Sequence, residues 1–475
     1  MNQTREHWGS RLGFILAAVG SAIGLGVLWK FPYTIGQNGG GLFLFTYIFC
    51  IVVIGIPVLI GELLLGRKSQ RAAVGAFDVL SEGYSSWKVA GWFGVFASFL
   101  IMSFYSVIAG WGMSYILMSL SGFYQNLSPE AASGIFDKLS RSGSITLFWH
   151  LLFTLITMGI VITGVRKGIE FWSKIMTRAL FVILTGLFLY SISMEGFGKA
   201  AHFIFYPDWK AFHLSSALEA LGLAFFTLSL GQGIMISYGS YMRKKENIPQ
   251  MACIIGFAVV VVSILAAMTI FPVIFTFGFE PQQGTGLIFK TLPYLFAQLP
   301  GSLVISTIFF TLFVFTALTS AIPFVEVVTT NVMELAKWPR KRAAIAVATG
   351  TFIFGIPSAL ASSHHLFPQW QGIYGHNFLD TIDLFVSTWV IPVGGLLTAL
   401  FIGWGLKREI SKEEFPLGKK WHFFFRIWHF FMKWIIPLTI FLIIVQKSGI
   451  INTKGETRDS YAIENDATGN ESPSL

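Results

Sequence analysis

The chain has 475 residues, of which 54% are hydrophobic and only 12% charged, and its net charge is +9. Soluble domains carry about 25% charged residues, so the composition excludes a soluble enzyme, a disordered protein and a disulfide scaffold. What remains is a polytopic α-helical membrane protein, for which eleven spans of ~20 residues would use about 220 residues.

The N-terminal segment 1–11 has no short apolar core and no small-residue cleavage site, so the first helix is expected to be retained. Apolar runs then predict spans at 12–35, 41–66, 89–120, 145–164, 171–193, 217–242, 251–279, 302–336, 343–361, 378–406 and 427–446. Cys50 and Cys253 both lie inside such runs and are expected to be buried free thiols rather than a bridge. The tail 447–475 is polar and is expected to be disordered.

Of the 33 basic residues, 24 fall on the N-terminal side of the predicted topology and 8 on the other, with Lys30 inside the first span. That bias predicts a cytoplasmic N-terminus and an outside C-terminus. It also accounts for the positive charge without nucleic acid.

Two spans carry glycine clusters, Gly20-Ser21-Ala22-Ile23-Gly24-Leu25-Gly26 and Thr227-Leu228-Ser229-Leu230-Gly231-Gln232-Gly233. Each glycine in a helix interior costs roughly 1 kcal/mol relative to alanine. Either cluster alone is equally compatible with close helix packing. Together they open successive groups of five spans, 12–193 and 217–406, and paired interruptions in two halves point to a transport site at the midplane. Broken helices present free N–H groups to an anion and free C=O groups to a cation, which suits a zwitterionic amino acid and a metal ion.

At these residues the chain resembles the neurotransmitter:sodium symporter family, whose bacterial members include the leucine transporter that defines the fold. The resemblance runs through Arg5-Glu6-His7-Trp8, Arg11-Leu12-Gly13, Gly24-Leu25-Gly26, Trp29-Lys30-Phe31-Pro32-Tyr33, Asn38-Gly39-Gly40-Gly41 and Gly55-Ile56-Pro57 with Glu62. It continues in Phe225-Phe226-Thr227-Leu228-Ser229-Leu230-Gly231 and Leu318-Thr319-Ser320, and covers the chain to about Gln446. It implies an all-α fold of eleven helices, built as a 5+5 inverted repeat with broken first and sixth helices. Segment 1–11 would then carry inner-gate residues, 12–446 the transporter, and 427–446 an eleventh helix outside the repeat.

The resemblance places one sodium at the family's second site, on the carbonyls of Gly20, Ile23 and Thr316 and the hydroxyls of Thr319 and Ser320. Hydroxyls bonded back to their own helix are the competing reading. The first sodium site departs from the pattern. Val27 stands where an asparagine is usual, and Val259 where an amide or carboxylate is usual. A valine coordinates nothing, so a single sodium is expected. Tyr47 and Ser263 match chloride-associated positions but Leu223 replaces the usual glutamine, and no chloride is expected.

For the substrate, the resemblance implies a carboxylate at the N–H groups of Leu25 and Gly26 and the hydroxyl of Tyr105. The amine would meet the carbonyls of Ala22, Phe226 and Thr227 and the hydroxyl of Ser229. Gly24 stands where monoamine transporters carry aspartate, which favours an amino acid. Ser21, Ile101, Phe226, Ser229, Gln232, Ser320 and Phe324 would line the side-chain pocket. Gln232 either selects a polar or larger side chain or caps freed backbone.

The implied outer gate is Lys30 with Asp383, under a lid formed by Phe226. Lysine lacks arginine's fork, so a looser, water-mediated pairing is expected there. The implied inner gate is Arg5 with Glu334, packed on Trp8 and Tyr241. Glu62 is expected to brace the sixth span, and Glu326 to make a packing hydrogen bond or to carry a proton.

The expected function is a sodium-coupled amino-acid symporter in a bacterial inner membrane, with lipid as surroundings and an open oligomeric state. The alternatives are a proton-coupled or sodium-independent transporter, or a sensor that no longer transports. An intramembrane hydrolase has little support: no His-Glu-x-x-His spacing occurs, and His364-His365 read as a solvated pair.

Overall fold

The protein was analysed as a computed structural model that describes residues 5–122, 129–209, 212–279, 286–363, 366–416 and 418–447. The tail beyond 447 and the pair His364-His365 lie outside the described residues.

Among the described residues, ten helices are long and apolar enough to cross a membrane. They are α1 (Arg11–Gln37), α2 (Gly41–Ser69), α3 (Lys88–Leu120), α4 (Gly143–Ile162), α5 (Val165–Ser191), α7 (Ile248–Thr276), α8 (Ser302–Ala336), α9 (Arg340–Ala359), α10 (Trp370–Gly405) and α11 (Trp421–Gln446). The sixth span is not one helix. It forms two pieces of α6, Leu214–Thr227 and Ile234–Gly239, joined by six non-helical residues. The eleven predicted spans are therefore all present, with the sixth divided at its glycine cluster.

Burial orders the bundle. In α1 and α8, 83% of the most apolar window is buried, against 28% in α5 and α11. The first pair is thus central and the second lies at the rim. α1 packs on α8, and α8 packs along α3. Continuous helices keep their backbone groups paired, as membrane depth demands. α10 is interrupted near its start, at 375–377; the interruptions in the middle of a span, in α1 and α6, are therefore the informative places.

In α1 the helix is interrupted at Gly24, with φ 19° and ψ −173°. In α6, Ser229, Gly231 and Gly233 all have positive φ. Gly231 is required twice over: its φ is +72°, and a Cβ there would stand 2.4 Å from the Ile391 carbonyl oxygen of α10. The α6 break is thus pressed against α10.

One sequence expectation is corrected. Both cysteines are free, but only Cys50 is buried, and Cys253 is exposed. Cys253 shares an outward face of α7 with Phe257, which is 71% exposed. An apolar run signals hydrophobic surroundings, and in a membrane protein the outer face qualifies as well as the interior.

Gly231→Ala is expected to lower the thermal midpoint in detergent by several degrees, because left-handed strain alone is worth about 1–3 kcal/mol. Gly372→Ala is the matched control, since a Cβ there meets nothing within 4 Å. Differential scanning fluorimetry of both variants makes the comparison.

Candidate functional site

The two breaks face each other and are cross-linked by hydroxyls. The Ser229 hydroxyl donates to the Ser21 carbonyl at 3.2 Å and lies 3.3 Å from the Ser21 hydroxyl. From α8, the Ser320 hydroxyl donates to the Ser21 carbonyl at 2.9 Å and reaches the Gly20 carbonyl at 3.5 Å. The Leu25 N–H donates to the Tyr105 hydroxyl at 3.2 Å. Gly24 permits this approach, because a Cβ there would lie 2.5 Å from the Ser320 hydroxyl oxygen.

The α6 break has its own supports. The Gly231 N–H donates to Glu62 Oε1 at 2.7 Å, as the sequence led one to expect of Glu62. The Ser98 hydroxyl donates to the Gln232 carbonyl at 2.7 Å. Gln232 itself is buried, and its side-chain oxygen meets no donor. That oxygen is not spent on capping the freed backbone.

The other expected pocket residues gather around these breaks. Ala22, Ile101, Thr227 and Phe324 are buried, and Phe324 sets its ring edge-on to Tyr105, centroids 5.6 Å apart. Gly26 lies directly beneath the Phe226 ring, since a Cβ there would come within 2.7 Å of it.

Among the described residues no three His, Cys, Asp or Glu side chains gather as metal ligands. Neutral oxygens are a different kind of donor set. Gly20, Ile23, Thr316, Thr319 and Ser320 supply such a set where α1 meets α8, and all five are buried. The two hydroxyls behave differently. Thr319 donates within its own helix, to Thr316 at 2.9 Å, whereas Ser320 crosses to α1. Hard monovalent cations suit oxygen donors of this kind, by analogy with hard divalent ions.

The alternative position is hydrocarbon. Val27 and Val259 are both fully buried. The Thr227 hydroxyl beside them accepts from Tyr47 at 2.8 Å and donates to the Leu223 carbonyl at 2.9 Å. Tyr47 also lies 3.3 Å from the Ser263 hydroxyl, which donates to the Val259 carbonyl. The polar atoms of this corner are matched to one another.

At one end of the site, Lys30 Nζ contacts Asp383 and the Ser387 hydroxyl, each at 2.8 Å, and lies 4.4 Å from the Phe226 ring centroid. The pairing is direct, which corrects the looser, water-mediated contact expected of a lysine. A point charge needs no fork when a carboxylate, a hydroxyl and a ring face surround it. Nor does Lys30 snorkel outward, since its side chain is only 10% exposed.

At the other end, Arg5 pairs with Glu334 and donates to the Ser240 hydroxyl. Its guanidinium lies 4.7 Å from the Tyr241 ring centroid. The Trp8 indole donates to the Tyr238 carbonyl at 3.0 Å, and its ring packs edge-on against Tyr238 and Tyr241. Glu334 also accepts from the Ala72 N–H at 2.8 Å.

Sequence reasoning missed two partners here. Arg340 grips the fully buried Glu326 with two nitrogens, at 2.7 and 3.1 Å, while the Tyr241 hydroxyl donates to Glu326 at 2.6 Å. Glu326 is thus a packing acid held by an ion pair. Glu170 accepts from the Gly9 N–H at 2.6 Å and the Ser10 hydroxyl at 2.9 Å, and so pins the N-terminal segment. Arg340 stood among basic residues that set topology, and nothing in the spacing marked it as turned inward.

Both the sequence and the fold have known relatives. A model of the sodium:neurotransmitter symporter family matches residues 5–128 and 122–468. An uncharacterized sodium-dependent transporter of Bacillus subtilis, YhdH, is 37% identical over 455 residues, covering 95% of this chain and 99% of that one. An uncharacterized sodium-dependent transporter of Haemophilus influenzae is 32% identical, covering 94% and 98%. The crystal structure of MhsT in complex with L-phenylalanine superposes with a TM-score of 0.86 at 39% identity, covering 94% of this chain and all of that one.

Removing the Arg5 contact tests the latch. Arg5→Ala is expected to raise the labelling rate of a cysteine placed at Ser237 about tenfold, which requires only roughly 1.4 kcal/mol of population bias. The measurement is maleimide labelling in a Cys253→Ser background, and an unchanged rate would count against the latch.

Proposed function

The chain belongs to the sodium:neurotransmitter symporter family, whose members are sodium-dependent membrane transporters and not enzymes, and from that premise we propose that it imports an amino acid with one sodium ion. The observation that carries the reading is the character of the groups between the two breaks. The Leu25 N–H meets the Tyr105 hydroxyl, and the Ser21 carbonyl meets the Ser229 and Ser320 hydroxyls. With Gly24 in the break, the first-span segment supplies no acid of its own to hold an amine.

In this reading the substrate carboxylate meets Leu25, Gly26 and Tyr105. Its amine meets the carbonyls of Ala22, Phe226 and Thr227 and the hydroxyl of Ser229. The structural relative bound to L-phenylalanine supports an amino acid as the substrate class. The sodium takes Gly20, Ile23, Thr316, Thr319 and Ser320, and so joins the α1 break to α8. Val27 and Val259 offer a second sodium no side-chain ligand, and Leu223 offers chloride none.

The cycle is a population shift. Sodium drives it by binding the outward-facing form better than the inward one. Lys30, Asp383 and Phe226 close the outer path, and Arg5, Trp8, Tyr241 and Glu334 close the inner one. We place the N-terminus in the cytoplasm of a bacterial cell and the chain in its plasma membrane, on the bias of basic residues.

In proteoliposomes, uptake is expected to follow an imposed sodium gradient with a Hill coefficient near one, and Ser320→Ala to abolish the sodium response. Cooperative activation with two sodium ions per turnover would sink the single-ion reading. Uptake driven by a proton gradient alone would sink sodium coupling.

Gln232 sets the expected selectivity. A buried acceptor without a partner carries a penalty of about 1–3 kcal/mol, which a donor on the substrate side chain relieves. Gln232→Leu is expected to move relative affinity about tenfold from polar towards apolar side chains. A binding panel of the twenty amino acids reads this directly, and an unshifted profile would return Gln232 to a packing role.

A further inference from the structure

A groove of about 440 Å³ opens between the end of α10 and the start of α11. It is lined by Trp404, Arg408, Arg426, His429, Phe430, Lys433 and Trp434, with Gly403 and Leu406 at its base. No acidic residue is among these. The groove lies on the same side of the molecule as the Arg5–Glu334 latch. Arg67, at the end of α2, binds Glu414 of the connection that forms the groove's edge, and Ala72 just beyond it binds Glu334.

The charges of this connection are sorted by direction. Between 407 and 433 there are seven basic residues and three acidic ones. Glu413 and Glu414 turn to the body of the protein, where they pair with Lys68 and Arg67. Among the described residues Arg408, Arg426 and Lys433 form no ion pair, and no carboxylate reaches them. His429, on the same wall, has a buried Nδ1 with no hydrogen-bond partner.

Aromatic rings frame the cations. Lys433 Nζ lies 4.2 Å from the Trp404 ring centroid and 5.9 Å from that of Trp434. The Trp404 indole donates to the Lys433 carbonyl at 3.0 Å, and the two tryptophan rings meet edge-on at 4.7 Å. Trp404, Phe430 and Trp434 are each more than half exposed on the outer surface of the bundle. Tryptophans in this setting mark the boundary between headgroups and acyl chains.

We propose that this groove binds the phosphate headgroup of an anionic glycerophospholipid. Arg408, Arg426 and Lys433 take the phosphate, and the exposed rings of Trp404, Phe430 and Trp434 flank its acyl chains. A basic pocket between membrane helices at headgroup level is suited to such lipids. The exposed rings favour a lipid over a soluble anion, because they continue the site into hydrocarbon. The occupant would also screen three like charges that the fold leaves side by side.

The test is native mass spectrometry of the full-length chain, purified in detergent and supplied with equimolar phosphatidylglycerol and phosphatidylcholine. Wild-type protein is expected to retain phosphatidylglycerol selectively. Arg426→Gln with Lys433→Gln should weaken retention about fivefold for each cation removed. Arg426→Lys with Lys433→Arg should preserve it, so that a loss of charge is separated from a loss of fold. Lys244→Gln with Lys341→Gln, on the same side but away from the groove, should leave it unchanged. Equal retention by the Gln variant, or an equal loss in the distant control, would overturn the site. Displacement of the lipid by millimolar inorganic phosphate would overturn the lipid in favour of a soluble anion. None of these outcomes depends on which substrate is transported.

Discussion

Two stretches of backbone lie unwound at a depth where water cannot serve them, and the rest of the site follows from how they are satisfied. An unpaired peptide group in such surroundings costs several kcal/mol, so each break must be supplied with partners from neighbouring helices. α2 sends Glu62 to the Gly231 N–H, and α3 sends Ser98 to the Gln232 carbonyl and Tyr105 to the Leu25 N–H. α8 sends Ser320 to the Ser21 carbonyl. In the proposed function the partners that hold the breaks are among the groups that confront a ligand. Architecture and recognition cannot be varied independently here, which is a physical reason for the clustering of glycines and small hydroxylated residues.

The break in α1 also separates the two proposed gates. Arg5 and Trp8 precede it and Lys30 follows it, with the non-helical Gly24 between. Their partners sit on different helices, Glu334 on α8 and Asp383 on α10. On α8, Ser320 and Glu334 are fourteen residues apart, or about 21 Å along a helix rising 1.5 Å per residue. One helix therefore carries both the hydroxyl that crosses to the α1 break and the acid that holds the N-terminal segment. A cation that tightens α1 against α8 near Ser320 also favours the Arg5–Glu334 contact further along the same pair.

Much of this was legible before any coordinates. Glycines in two apolar runs five spans apart located both breaks, because clustered glycines weaken a helix at one point, whereas the single prolines Pro272, Pro323 and Pro357 are carried inside their helices. The hydrophobic pattern also gave all eleven spans in order. It could not show that 217–242 divides into two helices of unequal length, since apolar content is unchanged across the break. It could not tell a lipid-facing thiol from a buried one, as at Cys253, because both surroundings are apolar. Pairings were the weakest point. Lys30 was located correctly, but its direct contact depends on Ser387 and the Phe226 face, which no spacing announces. Arg340 was hidden because a basic residue at a helix start serves topology equally well whether it points to water or to Glu326.

The two proposed gates differ in kind. The outer one is a single lysine held by a carboxylate, a hydroxyl and a ring. The inner one interlocks two arginines and two glutamates through Tyr241, whose ring faces Arg5 and whose hydroxyl donates to Glu326. Separating a buried pair leaves charges to be hydrated; of the inner pairs, Arg5–Glu334 joins the N-terminal segment to α8, and Arg340–Glu326 joins α9 to α8. Lys30, whose side chain is 10% exposed, has one carboxylate to lose. In the proposed cycle the outer pair therefore breaks as one unit, whereas the inner contacts tie the N-terminal segment to α8 and α9 through Tyr241.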